Sequence, residues 1–180
     1  MNESEMLQRY ATGDRGFADI NLAGAKLEQA NLRGINLQGA NLQEVKFLNA
    51  DLQNANLQQA NLSLASFYNA DLSDADLTAA NLHKADLRES NLHRVKLQGA
   101  DLRQVNLFQA ELNAADLRGV NLCGADLYRT RLSNANLCGA DLRGAELFGV
   151  SLEEAYYDER TQFDPGFNPI ELGMRLAADD

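Results

Sequence analysis

The sequence predicts an all-β solenoid, a chain of short extended sides and tight corners wound about a filled interior. Three observations carry that prediction. From Phe17 to Leu152 every fifth residue is Leu or Phe, through 28 successive positions without a slip. The position two before these centres is mostly small and apolar, Ala in 18 of the 28. The position two after is Gly or Asn in 13, among them Gly24, Gly34, Asn49, Asn69, Gly119 and Gly144.

A period of five matches neither the helical nor the strand period, which leaves a repeat architecture. Five residues cannot bury a Leu by themselves, so its cover must come from neighbours around and along the coil. Centre and centre minus two therefore point inward, and large beside small fills a narrow interior without voids. Gly and Asn tolerate the positive φ that a type II turn needs at its second central residue, so each pentad ends in a corner. At Leu64, Asp74, Ala79 and Ala114 the same reasoning predicts a different turn, because these side chains disfavour positive φ.

Units such as Ala30-Asn31-Leu32-Arg33-Gly34 and Ala50-Asp51-Leu52-Gln53-Asn54 resemble the pentapeptide-repeat family, whose A(D/N)LXX pattern they follow over most of the chain. The resemblance implies a right-handed quadrilateral parallel β-helix with four pentads to a coil, hence about seven coils from 28 pentads. At ~4.8 Å between stacked strands the coil body would be on the order of 35 Å long. The stretches Leu7 to Gly13 and Thr161 to Pro169 resemble the caps of cyanobacterial members.

In chain order, residues 1–14 read as an amino-terminal helical cap, 15–155 as the β-helix, and 156–180 as a carboxy-terminal loop and short helical cap. Asn2 suits a helix N-cap with Glu5 as its capping-box partner, Met6, Leu7 and Tyr10 share one face, and Gly13 suits the exit. Within the coil, residues twenty apart stack, which places Phe47 below Phe67 in the interior. Ile35, Val45, Val95, Val105 and Val120 replace Ala and should swell the coil locally. After Leu152 the pattern fails at Tyr156-Tyr157, and Asp164-Pro165-Gly166 signals a turn. Asn168-Pro169 then predicts a terminal helix over roughly 169–177 with Ile170, Met174 and Leu176 packed down, followed by a frayed end from Ala177 to Asp180.

The net charge is −10, but residues 1–14 and 153–180 carry −8 of it, while the coil body holds 15 acids and 13 bases. That distribution disfavours direct nucleic-acid binding, as no basic stripe exists. No apolar run is long enough to span a membrane, and the acidic start Met1-Asn2-Glu3-Ser4-Glu5 lacks a signal-peptide core, so the reading is a cytoplasmic protein. Cys123 and Cys138 fall on adjacent sides and read as reduced surface thiols.

Catalysis needs converging groups, and the coil disperses them. His83 and His93, ten residues apart, fall on opposite faces and read as exposed surface residues. No nucleophile–base grouping and no phosphate-binding glycine loop survives placement on sides, so no catalytic, cofactor or metal residues are assigned and the chain reads as non-enzymatic. Asp51 stacks with Asp71 and Asp126 with Glu146, but Asp and Asn before each centre serve the backbone at every turn.

One column departs from what the repeat needs. The residue after each centre faces solvent, and on one side it reads Glu28, Leu48, Tyr68, Arg88, Phe108, Tyr128, Phe148. Every large apolar residue at that position lies there. Leu48, Tyr68, Arg88, Phe108, Tyr128 and Phe148 are therefore the candidate protein-binding residues, for a protein partner or a homodimer, with stacked rings and Arg88 over a neighbouring ring. The competing structural account is that the rings only stabilise the outside of the coil or lie under a cap. The family resemblance also admits a DNA-mimicking regulator of a type II topoisomerase, against which the near-neutral coil body argues, and a regulator of cyanobacterial cell differentiation.

Overall fold

The computed structural model describes residues 1–177. Helix α1, Glu3–Ala11, begins at Asn2, whose side chain accepts the Glu5 N–H at 2.9 Å. Glu3 and Glu5 in the first turn and Arg9 in the last complement the helix dipole. Its apolar face drops Met6, fully buried, onto the open end of the coil, with Leu7 and Tyr10 packed beside it. The helix also serves the strand edge that it covers. Glu3 accepts the Lys26 N–H at 2.8 Å, and the Tyr10 hydroxyl donates to the Arg33 carbonyl at 2.9 Å. Gly13 leaves the helix at φ 101°.

The coil then rises by parallel bridges between residues 20 apart, from Gly16↔Asn36 to Arg131↔Ser151. A 20-residue rise over a five-residue unit makes four sides, named here by their first centres: the Phe17, Leu22, Leu27 and Leu32 sides. One pentad shows the rule for all. The Leu62 N–H donates to the Asn81 carbonyl at 2.7 Å, Leu64 to His83 at 3.0 Å, and Ala65 closes the corner onto Leu62 at 3.1 Å. Nearly every centre is fully buried, and inside the Leu27 side Phe47 and Phe67 stack with centroids 5.2 Å apart. Ser90 and Thr130 stand at small inward positions and donate their hydroxyls to carbonyls, Leu87 at 2.6 Å and Leu107 at 2.7 Å, which satisfies them where they are buried.

The corners correct the sequence reading. Leu64, Asp74, Ala79 and Ala114 have φ of 60°, 58°, 57° and 57°, the same left-handed corner as Gly24 or Asn49. Hydrogen bonds to the coil above fix each corner, and that repeated pairing outweighs a local cost of about 1–2 kcal/mol.

The carboxy-terminal segment corrects it again. Instead of an α-helix, the chain makes a single 3₁₀ turn, Ile170–Leu172, stopped by Gly173 at φ 77°. Strand β1, Tyr156–Tyr157, then pairs in parallel with β2, Arg175–Leu176. The reason is the coil's open edge, which needs backbone partners that a helix cannot give. The Glu154 N–H donates to the Gly173 carbonyl at 2.9 Å, and Arg175 to Ala155 at 2.8 Å. Met174 is buried, whereas Ile170 and Leu176 remain 71% and 61% exposed. Ala177 is tied down through its N–H to the Tyr157 carbonyl at 2.8 Å; the rest of the expected frayed end lies outside the described residues.

Candidate interaction surface

On the Phe17, Leu22 and Leu32 sides the outward residues bind one another. The Asn or Asp before a centre accepts the N–H two residues on, as Asn56 does from Gln58 at 3.1 Å and Asp76 from Thr78 at 3.0 Å. Where that later residue is Arg, its guanidinium folds back on the same carboxylate. Arg103 meets Asp101 at 2.9 and 2.6 Å, Arg118 meets Asp116 at 2.8 and 2.7 Å, and Arg143 meets Asp141 at 2.8 and 2.6 Å. The guanidinium holds the carboxyls of Asp101 and Asp141 well below the usual range, against the opposing effect of burial. Along the Leu22 side an amide ladder links Asn41 to Asn21 at 3.0 Å and Asn81 to Asn61 at 3.3 Å.

The Leu27 side differs. Its outward column brings Leu48, Tyr68, Arg88, Phe108, Tyr128 and Phe148 into one line. Phe108 and Tyr128 stack with centroids 5.6 Å apart at 1°, and Tyr128 and Phe148 at 5.5 Å and 12°. The Arg88 guanidinium lies 5.6 Å from the Tyr68 ring centre while pairing with Asp86 at 2.8 and 2.7 Å. The Tyr68 hydroxyl donates to Glu89 at 3.2 Å, which pushes its pKa up. Arg129 stands 5.2 Å over the Tyr128 ring. Leu48, Tyr68, Phe108 and Tyr128 are half-buried by their own stacking, and Phe148 ends the row 75% exposed. The carboxy-terminal segment pairs with the other three sides through Tyr156, Gln162 and Gly173, while among the described residues the last bridge on this side is Asp126↔Glu146. Among the described residues the carboxy-terminal segment leaves the end of the row, Phe148, uncovered.

A second column on the same side escaped the sequence reading apart from its Asp126–Glu146 end. Before each centre stand Lys26, Lys46, Ser66, Asp86, Asn106, Asp126 and Glu146, basic at the amino-terminal end and acidic at the other. Among the described residues, Asp86 is the one member with an ion-pair partner; Lys26, Lys46, Asp126 and Glu146 have none. Stepping by twenty along that position would have revealed it.

Elsewhere the polar groups disperse. His83 and His93 are half-buried instead of exposed, each packed along its own side with its N–H on Asn81 and Asn91 at 3.1 Å. Cys123 and Cys138 are unpaired and half-buried, and burial pushes both thiols up, followed by the carboxylates of Asp141 and Asp158. Asp51 is engaged by Arg33 at 3.1 Å and Asp71 by Gln53 at 2.8 Å. Among the described residues no group of three or more His, Cys, Asp or Glu is placed to hold a metal, and no helix is long and apolar enough to cross a membrane. Two open clefts flank α1, one beside Asn21 and Gly24 and one beside Tyr10 and Arg33, both away from the aromatic row.

The family model described as pentapeptide repeats matches in 8 copies, over residues 17–47, 46–83, 70–109, 85–124, 106–144 and 115–153. Among solved structures, HetL, a pentapeptide repeat protein involved in heterocyst differentiation regulation from the cyanobacterium Nostoc sp. strain PCC 7120, is 33% identical. That match covers 97% of this chain and 92% of HetL with a TM-score of 0.37. The pentapeptide repeat protein alr5209 from Nostoc PCC 7120 is 32% identical over 71% of this chain and 84% of its own, with a TM-score of 0.42. A trypsin-treated form of QnrB1, a plasmid-mediated fluoroquinolone resistance protein, is 19% identical over 89% of this chain and 90% of its own; its TM-score of 0.52 speaks for the fold. No curated protein matches the chain.

Proposed function

The chain belongs to the pentapeptide-repeat family, and from that premise we propose that it is a non-enzymatic interaction module that presents the aromatic side of its coil to a protein. The observation that carries the reading is the row Leu48, Tyr68, Arg88, Phe108, Tyr128, Phe148, which stands on one side of four and ends in an uncovered Phe148. The fold does not require it. The other three sides reach the same burial and the same bridges with Gln, Ser, Thr, Arg and Cys at that position. Contiguous, half-exposed aromatic area with Arg at hand has the composition of the core of a protein interface.

Mimicry of duplex DNA calls for a regular acidic stripe on the outside. Here Asp86, Asp101, Asp116 and Asp141 are each neutralised by the Arg two residues on, which removes the charge pattern that such a mimic needs.

Serine at Phe108 and Tyr128 together tests the reading. Association, followed by light scattering coupled to gel filtration for self-association and by retention on the immobilised protein for a foreign partner, should be lost while the circular dichroism spectrum stays that of the wild type. Association unchanged in this variant overturns the proposal.

A further inference from the structure

We infer that the partner of the aromatic side is a second copy of this chain, docked face to face with its coil axis reversed. The inference rests on the interaction surface proposed above and adds the occupant and its orientation. Its ground is the charged column beside the rings. Lys26 and Lys46 at one end, and Asp126 and Glu146 at the other, lack ion-pair partners among the described residues. On the other sides, by contrast, the acids at the same pentad position are engaged within the chain: Asp51, Asp76, Asp101, Glu111, Asp116 and Asp141 by a cation, and Asp71 by the Gln53 amide.

A two-fold axis along the strand direction, through the level of Asp86, lays each column on its own copy in reverse order. Lys26 then meets Glu146 and Lys46 meets Asp126, twice per dimer, while Ser66 meets Asn106. The neighbouring column follows the same rule: Phe108 faces Tyr68 and Tyr128 faces Leu48, apolar against apolar, while Arg88 meets its own copy on the axis and Phe148 falls against Glu28 at the rim. On the axis the Asp86 of each copy arrives already bound by Arg88 at 2.7 Å, which removes most of the repulsion between like residues. A parallel pairing brings the lysine ends together and the acidic ends together, and loses all four contacts. Two flat sides also suit this docking, because stacked sheets pack at about 10 Å and side chains of this length close that gap.

The size of the side sets the strength. About seven coils at ~4.8 Å each give a face roughly 35 Å tall, and pairing two such faces buries on the order of 1,000 Å² in all. That lies at the low end of specific interfaces, so the dimer should form in the micromolar range and weaken as salt rises.

The test is light scattering with gel filtration on the full chain from micromolar to millimolar concentration, for wild type and two charge reversals. One variant carries Lys26→Glu with Lys46→Glu, the other Asp126→Lys with Glu146→Lys. Wild type should approach twice the 19.8 kDa chain mass. Each reversal alone should weaken dimerisation by about tenfold or more, and an equimolar mixture of the two should regain it, because every reversed lysine then meets a reversed acid. Recovery in the mixture cannot come from misfolded variants. A wild type that stays monomeric overturns the second copy and leaves the foreign-partner test of the surface standing. A dimer lost in Phe108→Ser, Tyr128→Ser but indifferent to both reversals overturns the reversed-axis arrangement and keeps the surface.

Discussion

Two stacks of rings stand on the same side of this coil, Phe47 over Phe67 inside and Phe108, Tyr128 and Phe148 outside. Their spacings are close, 5.2 Å within and 5.5–5.6 Å without, because both inherit the rise from one coil to the next. Their surroundings differ completely. The inner pair is fully buried, each ring held by neighbouring centres, whereas in the outer row Phe108 and Tyr128 are half-buried, with Arg129 over the Tyr128 ring, and Phe148 is exposed. Equal geometry with unequal burial teaches that stacking follows from the repeat, while the choice of aromatic residues outside does not. The inner rings answer to packing; on the function proposed above, the outer rings answer to a partner.

Truncation separates the two. Phe67→Ala opens a hole in a filled interior and should cost about 3–5 kcal/mol, read as a lower urea midpoint. Tyr128→Ala loses two ring contacts on the surface and should cost about 1 kcal/mol. Comparable losses at the two sites would make the outer row a structural element and break the contrast.

This division also explains what the sequence made legible. Centre and small positions are set by burial, a strong and periodic demand, so the solenoid could be read from spacing; the Phe47–Phe67 stack needed in addition the four pentads per coil that the family resemblance implies. The aromatic row was legible for the same reason, once residues twenty apart were placed above one another. The corners at Leu64 and Ala79 were misread because local φ preference was weighed without the hydrogen bonds from the next coil, such as Leu64 N–H to His83. The terminal helix was misread because Asn168-Pro169 is a sound local start signal, yet the open edge at Glu154 and Ala155 recruits Gly173 to Ala177 as extended chain. The charged column was missed because no single residue in it is unusual; only its order along the axis is.

The corners give a sharper form of the same contrast, since they are outside the core yet held by the backbone. Leu64 lies 47% exposed at φ 60°. If backbone pairing, and not the side chain, makes that corner, then Leu64→Gly relieves left-handed strain and should raise stability by about 1 kcal/mol despite removing a leucine. Chemical denaturation checks it, and a destabilised variant would mean that the leucine packs usefully on the coil.

The smallest effect belongs to an outward residue that the fold does use. Asp158 sits where the pentad register slips, and it accepts the Gly139 N–H at 2.8 Å and the Thr161 N–H at 3.1 Å beside Arg160 at 2.7 Å. Burial alone would raise its pKa, but Arg160 and these donors outweigh it and bring the carboxyl down to about 2 from 3.8. A folded pKa below the unfolded one means that the stabilisation is present in full above 3.8 and drains away as pH falls toward about 2. Hydrogen exchange at the Gly139 amide, corrected for its intrinsic pH dependence, should therefore lose protection across that interval. In Asp158→Asn the protection should already be reduced at neutral pH and stay flat through the interval. Wild-type protection in the Asn variant would show that strands alone hold this end, and the set of outward residues serving the fold would shrink to the Asn and Asp before each centre.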